Sequence, residues 1–449
     1  MRIDIWTSLN ISKLFGGAVS AGYLNHILSS HLENSKMHKI KKRFALIYLL
    51  LFFFWLYFLG CATSPAPITD KSGDFDFAQI LETMRQKEKL PAIAGSVIID
   101  GDIYAQAAAG TREYGTNNWV TIEDKFLIGS CGKAFTATLA AILVNEGILQ
   151  WDATVKGAFP KVKMHSEWES ITVKNLLTNR SGCADDSDSK LLPDDQLHDL
   201  WNDKNPPIDM RFRYMKRAIN IKPRHPPNKV VLYANSGFLV AGVMLETVAN
   251  KAFENLMKEK LFNPLGLNSA GYGSPAAIDP ISQPHGHFSN SPIKQDFPDY
   301  IAPMGNVAIS IGDWSKFVLF HLNAYQVSNP SLLDSDTLKK LHIPPNSATW
   351  INSSFESWIA KTIYDLDLKN FSYAFGWVTK EEPDGNYLLW HYGQGSSFSA
   401  RVEANPKTKS AILLVTNARI DLGRLKKAAK KIRKYYAAKT KLTNHIHIP

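Results

Sequence analysis

The alternation of apolar and polar residues divides the chain into β-like segments at its two ends and helices between them. Phe77, Ile80, Leu81 and Met84 recur at i, i+3, i+4 and i+7, which predicts an amphipathic helix. Ala94–Ile99 and Ile103–Ala108 read as strands joined by Asp100-Gly101, a tight-hairpin signal. An extended stretch, Phe126-Leu-Ile128, runs into a mostly apolar helix carrying Ala134, Phe135, Ala137, Leu139, Ala140, Leu143 and Val144. Further helices are predicted around Met210–Ile219, Phe238–Val248 and Ala252–Leu261, and through Trp314–Leu322. The C-terminal part returns to strands at Tyr373–Thr379, Tyr387–Trp390, Ser397–Glu403 and Ala411–Thr416. A basic amphipathic helix, Leu422–Tyr436, follows, with Leu425, Ala428, Ala429 and Ile432 on one face. Strands at both ends enclosing helices predict an α+β fold: one antiparallel sheet from N- and C-terminal segments, flanked by helices, with a mainly helical subdomain.

Charge changes this picture only at the ends. The formal net charge is +10. Residues 1–60 hold 7 Lys/Arg against 2 acids and the segment from Asp421 holds 9 against 1, so the body between them carries roughly −3. That distribution predicts no nucleic-acid partner for the body. For the terminal helix two readings stand, packing against the sheet with its lysines solvated or support at an anionic lipid surface. Near the N-terminus, Met37-His-Lys-Ile-Lys-Lys-Arg43 precedes an apolar run from Phe44 to Leu59, the form of a secretory signal. The ending Phe58-Leu-Gly-Cys61 resembles a bacterial lipoprotein cleavage box, which implies lipidation of Cys61, an uncleaved anchor being the other reading. Export to the cell envelope, on the outer membrane or facing the periplasm, would follow, with translation starting at Met37. Pro, Ser and Thr in Ala62–Gly73 then suit a tether.

The candidate chemistry starts at Ser130-Cys-Gly-Lys133. In a helix the serine and lysine lie one turn apart on one face. A serine hydroxyl needs a partner to take its proton, and a lysine in reach can do so or hold a base in place. Spacing alone does not single out this pair. Ser187–Lys190 and Ser291–Lys294 have the same spacing, but the first lies in an Asp-rich run and the second in a Pro/His loop. Only Ser130 leads into a long apolar helix.

Ser130-Cys-Gly-Lys133, then Tyr233-Ala-Asn235, then His391-Tyr-Gly393 resemble the three ordered motifs of the β-lactamase-related serine hydrolases, which include class C β-lactamases, D-alanyl-D-alanine carboxypeptidases and related esterases. Tyr23-Leu-Asn25 and Lys71-Ser-Gly73 also fit the second and third patterns but precede the serine, so they cannot complete the order. The resemblance extends over roughly Phe77 to Asn417 and includes Leu176-Leu-Thr-Asn-Arg-Ser-Gly182, Asn263-Pro-Leu-Gly-Leu267 and Phe375-Gly-Trp377. It implies a three-layer αβα fold of the β-lactamase/transpeptidase type. By residue, it implies Ser130 as nucleophile, Tyr233 as base and Lys133 as the cation that favours its phenolate. Asn235 would hold a substrate carbonyl or orient Lys133. Backbone N–H groups of Ser130 and of Gln394, on the edge strand after His391 and Gly393, would form an oxyanion hole.

Lactamases usually carry lysine where His391 stands. A histidine, with a reference pKa of ~6.5, would be only partly charged at pH 7, so an esterase or peptidase is expected rather than an efficient lactamase. Asn179 stands where relatives often have histidine. The expected organisation is an extension over 1–36, a signal peptide over 37–60, a tether over 61–75, a catalytic domain over 76–420 and a basic helix and tail over 421–449. Neither metal nor organic cofactor is implied; the partners would be a small-molecule or peptide substrate and the membrane. Ala184–Asn228 and Gly271–Asp299 would line the acyl pocket. Two readings stay open for Cys131 and Cys183, a disulfide or two buried thiols. The rival function is a catalytically silent envelope protein that keeps the fold as a binding module.

Overall fold

In a computed structural model the chain is described over residues 69–70, 75–183, 205–293, 298–323, 332–346, 348–350 and 371–439. The signal peptide, Cys61, most of the tether, residues 184–204 and 294–297 of the predicted pocket lining and both ends of the chain lie outside the described residues.

The N- and C-terminal parts of the described residues form one eight-stranded antiparallel sheet. Its strands are β1 (Thr69–Asp70), β2 (Ala92–Ile99), β3 (Asp102–Gly110), β7 (Ser372–Tyr373), β8 (Val378–Glu381), β9 (Tyr387–Gln394), β10 (Ser399–Asn405) and β11 (Ser410–Thr416). They lie in the order β1-β3-β2-β11-β10-β9-β8-β7. β2 and β11 join the two halves, with Ile98 opposite Ala411 and Ile93 opposite Thr416. The Asp100-Gly101 turn takes positive φ at both residues, 54° and 88°, as the hairpin requires. Thr69–Asp70, inside the stretch read as a tether, pairs with Ala107–Ala108 as the sheet's outermost strand. The segment read as one strand, Tyr373–Thr379, is instead the hairpin of β7 and β8, broken where Gly376 takes φ +75°.

Successive residues of a strand face opposite sides, and this sheet is covered on both. A Cβ at Gly95 would lie 3.0 Å from Phe77 of α1 (Phe75–Glu88). Gln106, paired with the neighbouring Ser96, reaches the other way to Ser315 of α7 (Ile311–Leu322) at 3.2 Å. The last helix, α8 (Leu422–Lys439), joins α1 and packs on β10 and β11. Leu422, Leu425, Ala429, Ile432 and Tyr436 are its buried side, so the basic helix is part of the same body as the sheet.

The middle of the chain is helical: α2 (Lys133–Asn145), α3 (Val173–Leu177), α4 (Pro207–Ala218), α5 (Asn235–Ala249) and α6 (Ala302–Gly305). A small sheet of β4 (Lys125–Leu127), β6 (Val307–Ser310) and β5 (Gly271–Tyr272) accompanies them. Arg211, fully buried on α4, bonds Glu246 of α5 and Glu254 at 2.8 Å each, which ties the subdomain internally. Removing one member of such a buried cluster would leave the others uncompensated.

Behind α2 lies a buried histidine pair. Thr138 Oγ1 donates to the carbonyl of Ala134 at 2.8 Å, so it accepts from His321 Nε2 at 3.1 Å. His321 Nδ1 then accepts from His342 Nε2 at 2.9 Å, and both rings are neutral. Burial lowers the His342 pKa to about 3, and burial together with His342 lowers that of His321 well below the ordinary value. With both folded values below the unfolded ~6.5, the unfolded chain binds more protons between about pH 6.5 and 3, and stability falls on acidification. We expect the urea midpoint to drop from pH 7 to pH 4.5, and to drop less in His342→Phe; a pH-independent midpoint would contradict this reading.

Candidate active site

Ser130 lies in a 3₁₀ turn, Gly129–Gly132, between β4 and α2. Two glycines bring this turn against β9. Gly129 has φ +50°, and a Cβ there would stand 2.6 Å from the backbone nitrogen of Gln394. A Cβ on Gly393 would stand 1.7 Å from the carbonyl oxygen of Ile128. Backbone therefore packs on backbone, and Ser130 sits beside the end of β9. That strand is sixth in the sheet, not its outermost. However, β8 reaches only as far as Trp390, so residues 391–394 pair with β10 alone and form a local edge. Gly395 N donates to Phe398 O at 3.0 Å, on the β10 side; strand alternation turns the Gln394 N–H the other way, toward the serine turn. The Gln394 side chain leaves the site and donates to Ile420 O at 2.6 Å.

Lys133 opens α2 and is fully buried. Its Nζ donates to Ser130 Oγ at 3.0 Å, to Asn235 Oδ1 at 2.5 Å and to the carbonyl of Met304 at 2.6 Å. It also lies 4.9 Å from the ring centroid of Tyr233. Of the two tasks open to Asn235, its oxygen performs one: it orients Lys133. Met304, on α6, gave no sequence signal, because a backbone carbonyl leaves no residue signature.

Tyr233 is half-buried just before α5. Asn179, at φ +53°, clamps the backbone on both sides of it: its carbonyl accepts from Leu232 N at 2.9 Å and its Oδ1 from Ala234 N at 3.1 Å. A short polar side chain tolerates this left-handed conformation, which suits asparagine. Next to it, buried Arg180 donates to Tyr373 O at 2.5 Å, to Ser372 Oγ at 3.1 Å and to Asn346 Oδ1 at 2.8 Å. Burial lowers its pKa to about 10.

His391 departs from expectation. Its Nδ1 lies 2.6 Å from Tyr392 O and so carries the proton, and its Nε2 accepts from the Tyr373 hydroxyl at 3.1 Å. Burial, and then repulsion by Lys133, hold its pKa well below 6.5. The ring is therefore neutral at pH 7, not partly charged, because burial disfavours the imidazolium. Its centroid is 6.2 Å from that of Tyr233.

No disulfide joins the two cysteines; both are buried thiols. Cys131 Sγ faces His391 O at 3.7 Å, while Cys183 Sγ accepts from Ser181 Oγ at 3.0 Å and lies 3.5 Å from Ser236 Oγ of α5. Burial pushes the Cys131 thiol far up, so it stays protonated.

A family model described as Beta-lactamase matches residues 77–437. Penicillin-binding protein 4 of Amycolatopsis lactamdurans is 26% identical over 250 residues, which are 54% of this chain and 62% of that protein. The unguisins hydrolase of Aspergillus campestris is 23% identical over 374 residues, 78% of this chain and 63% of that protein. The chain thus spans 62–63% of the length of these curated relatives. The octameric penicillin-binding protein homologue from Pyrococcus abyssi superposes with a TM-score of 0.60 at 22% identity, covering 77% of this chain and 74% of that one, a likeness of fold.

Proposed function

The chain belongs to the beta-lactamase family, and from that premise we propose that it forms an acyl-enzyme on Ser130 and cleaves an amide or ester bond. The observation that carries this reading is the placement of Lys133, with Nζ 3.0 Å from the Ser130 hydroxyl and 4.9 Å from the Tyr233 ring. A free phenol, with a pKa of ~10, serves as a base at neutral pH only where a cation favours its phenolate. In the proposed reaction Tyr233 takes the Ser130 proton as Oγ attacks the substrate carbonyl carbon. The N–H groups of Ser130 and Gln394 hold the developing oxyanion. When the intermediate collapses, the bond to the leaving amine or alcohol breaks and the proton passes to that group. Water then attacks the acyl-enzyme by the same route and regenerates Ser130.

A neutral His391 favours the esterase or peptidase subtype over efficient β-lactam hydrolysis. Where lactamases usually place a lysine, this site has an uncharged ring bonded to Tyr373. Only Lys133 among the motif side chains then remains to support the Tyr233 phenolate. Substrates would be D-amino-acid peptides or small acyl esters. We also propose that the protein is exported and anchored through a lipidated Cys61.

One experiment tests both parts. A fluorophosphonate probe should label the folded protein and fail to label Ser130→Ala. The intact mass of the labelled species reports whether the chain starts at an acylated Cys61. Folded wild type that takes no label would return the reading to a silent binding module, and a retained Met1 would end the lipoprotein proposal.

A further inference from the structure

We infer that the outer face of α8, with the groove it forms against α1, is a docking surface for an anionic phospholipid bilayer. The apolar side of α8 is occupied by the sheet, and the side left outside is cationic. Lys427, Lys430, Lys431 and Lys434 fall at i, i+3, i+4 and i+7 and are all exposed, forming one stripe along the helix. The arginines of α8 are different: Arg424 is paired with Glu88 and Arg433 with Glu403. Among the described residues no acid pairs with the four stripe lysines, nor with Lys87 across the groove.

The groove gives this charge a chemical direction. It encloses about 270 Å³ between α1 and α8, with Met84, Leu90, Ile93, Ile420 and Leu425 as its apolar lining and the lysines along its rim. Glu88, the acid on that rim, is held by Arg424 at 2.6 Å. A cationic rim over an apolar floor fits an amphiphile whose phosphate meets the ammonium groups and whose methylenes cover the floor. A nucleic acid would satisfy the rim and leave the floor uncovered. Each lysine held at an anionic bilayer strengthens binding roughly fivefold, so four acting together would contribute several hundredfold.

Lysine acylation with a water-soluble ester, read by mass spectrometry on the full chain, tests the surface directly. The full chain is mixed with vesicles of phosphatidylglycerol and phosphatidylcholine, or of phosphatidylcholine alone. With the anionic vesicles, acylation of Lys427, Lys430, Lys431 and Lys434 should slow at least fivefold, and it should recover in about 0.5 M salt. Lys222 and Lys251, exposed by 68% and 41%, should react equally with both vesicles. Lys430→Glu/Lys434→Glu changes only exposed side chains and should abolish protection of Lys427 and Lys431. Equal acylation with both vesicles, equal slowing of the control lysines, or the same protection by inorganic phosphate or a DNA duplex would overturn the proposal. Because the footprint reads position rather than turnover, it is independent of whether Ser130 is reactive.

Discussion

Lys133→Met should lower kcat/KM on an activated ester by about three orders of magnitude while the protein stays folded. Methionine keeps most of the stem volume and removes the donor that converges on Ser130 Oγ, Asn235 Oδ1 and Met304 O. Two effects then combine. The Tyr233 phenolate loses the cation beside its ring, and the serine hydroxyl loses the group that sets its direction. Acid–base assistance alone is worth about 10²–10⁴ in rate, and each tenfold corresponds to about 1.4 kcal/mol of barrier. Stability should move less, since the ammonium now buried among neutral oxygens is itself costly to desolvate. The melting temperature should stay level or rise, which separates loss of chemistry from loss of fold. Lys133→Arg should not restore activity, because a planar fork cannot place one nitrogen on three converging acceptors. Activity within tenfold of wild type in Lys133→Met would remove Lys133 from the mechanism.

Much of this site was legible in the sequence because its parts are local. Ser130 and Lys133 are tied by helical spacing, and Asp100-Gly101 announces its hairpin through backbone chemistry that depends on nothing distant. What was not legible depends on contacts between remote segments. Tyr373 reads as a strand residue until β7 brings its hydroxyl to His391. The break at Gly376 is set by α2, since a Cβ there would fall 2.6 Å from Ala134 Cα, and no local pattern encodes that approach. The role of Asn179 has no local signal either, because its bonds are to the backbone of Leu232 and Ala234. The charge of His391 depends on remote contacts in the same way. A reference pKa describes a solvated ring, and only the fold shows that this one is buried beside Lys133.

Gly393→Ala tests the oxyanion site by geometry rather than by charge. The added methyl would lie 1.7 Å from the Ile128 carbonyl and 2.6 Å from its carbon, both backbone atoms that no rotamer change can move aside. The serine turn and β9 would have to separate by more than about 1 Å to restore ordinary contact. That movement draws the N–H groups of Ser130 and Gln394 apart, and losing one such donor costs about 10²–10³ in kcat. A misplacement of this size alone costs on the order of 10². We therefore expect kcat/KM, and the rate of fluorophosphonate labelling, to fall at least 100-fold. The change alters none of the side chains of Ser130, Lys133 and Tyr233, so it acts through the spacing between β9 and the turn that carries Ser130. Gly312→Ala serves as the control, because a Cβ there meets only the Gln106 side chain at 3.7 and 3.8 Å, an ordinary contact, and its rate should be unchanged. Should Gly393→Ala label at the wild-type rate with an unaltered melting temperature, the oxyanion must be held elsewhere. The close packing of β9 on the serine turn would then serve the fold and not the reaction.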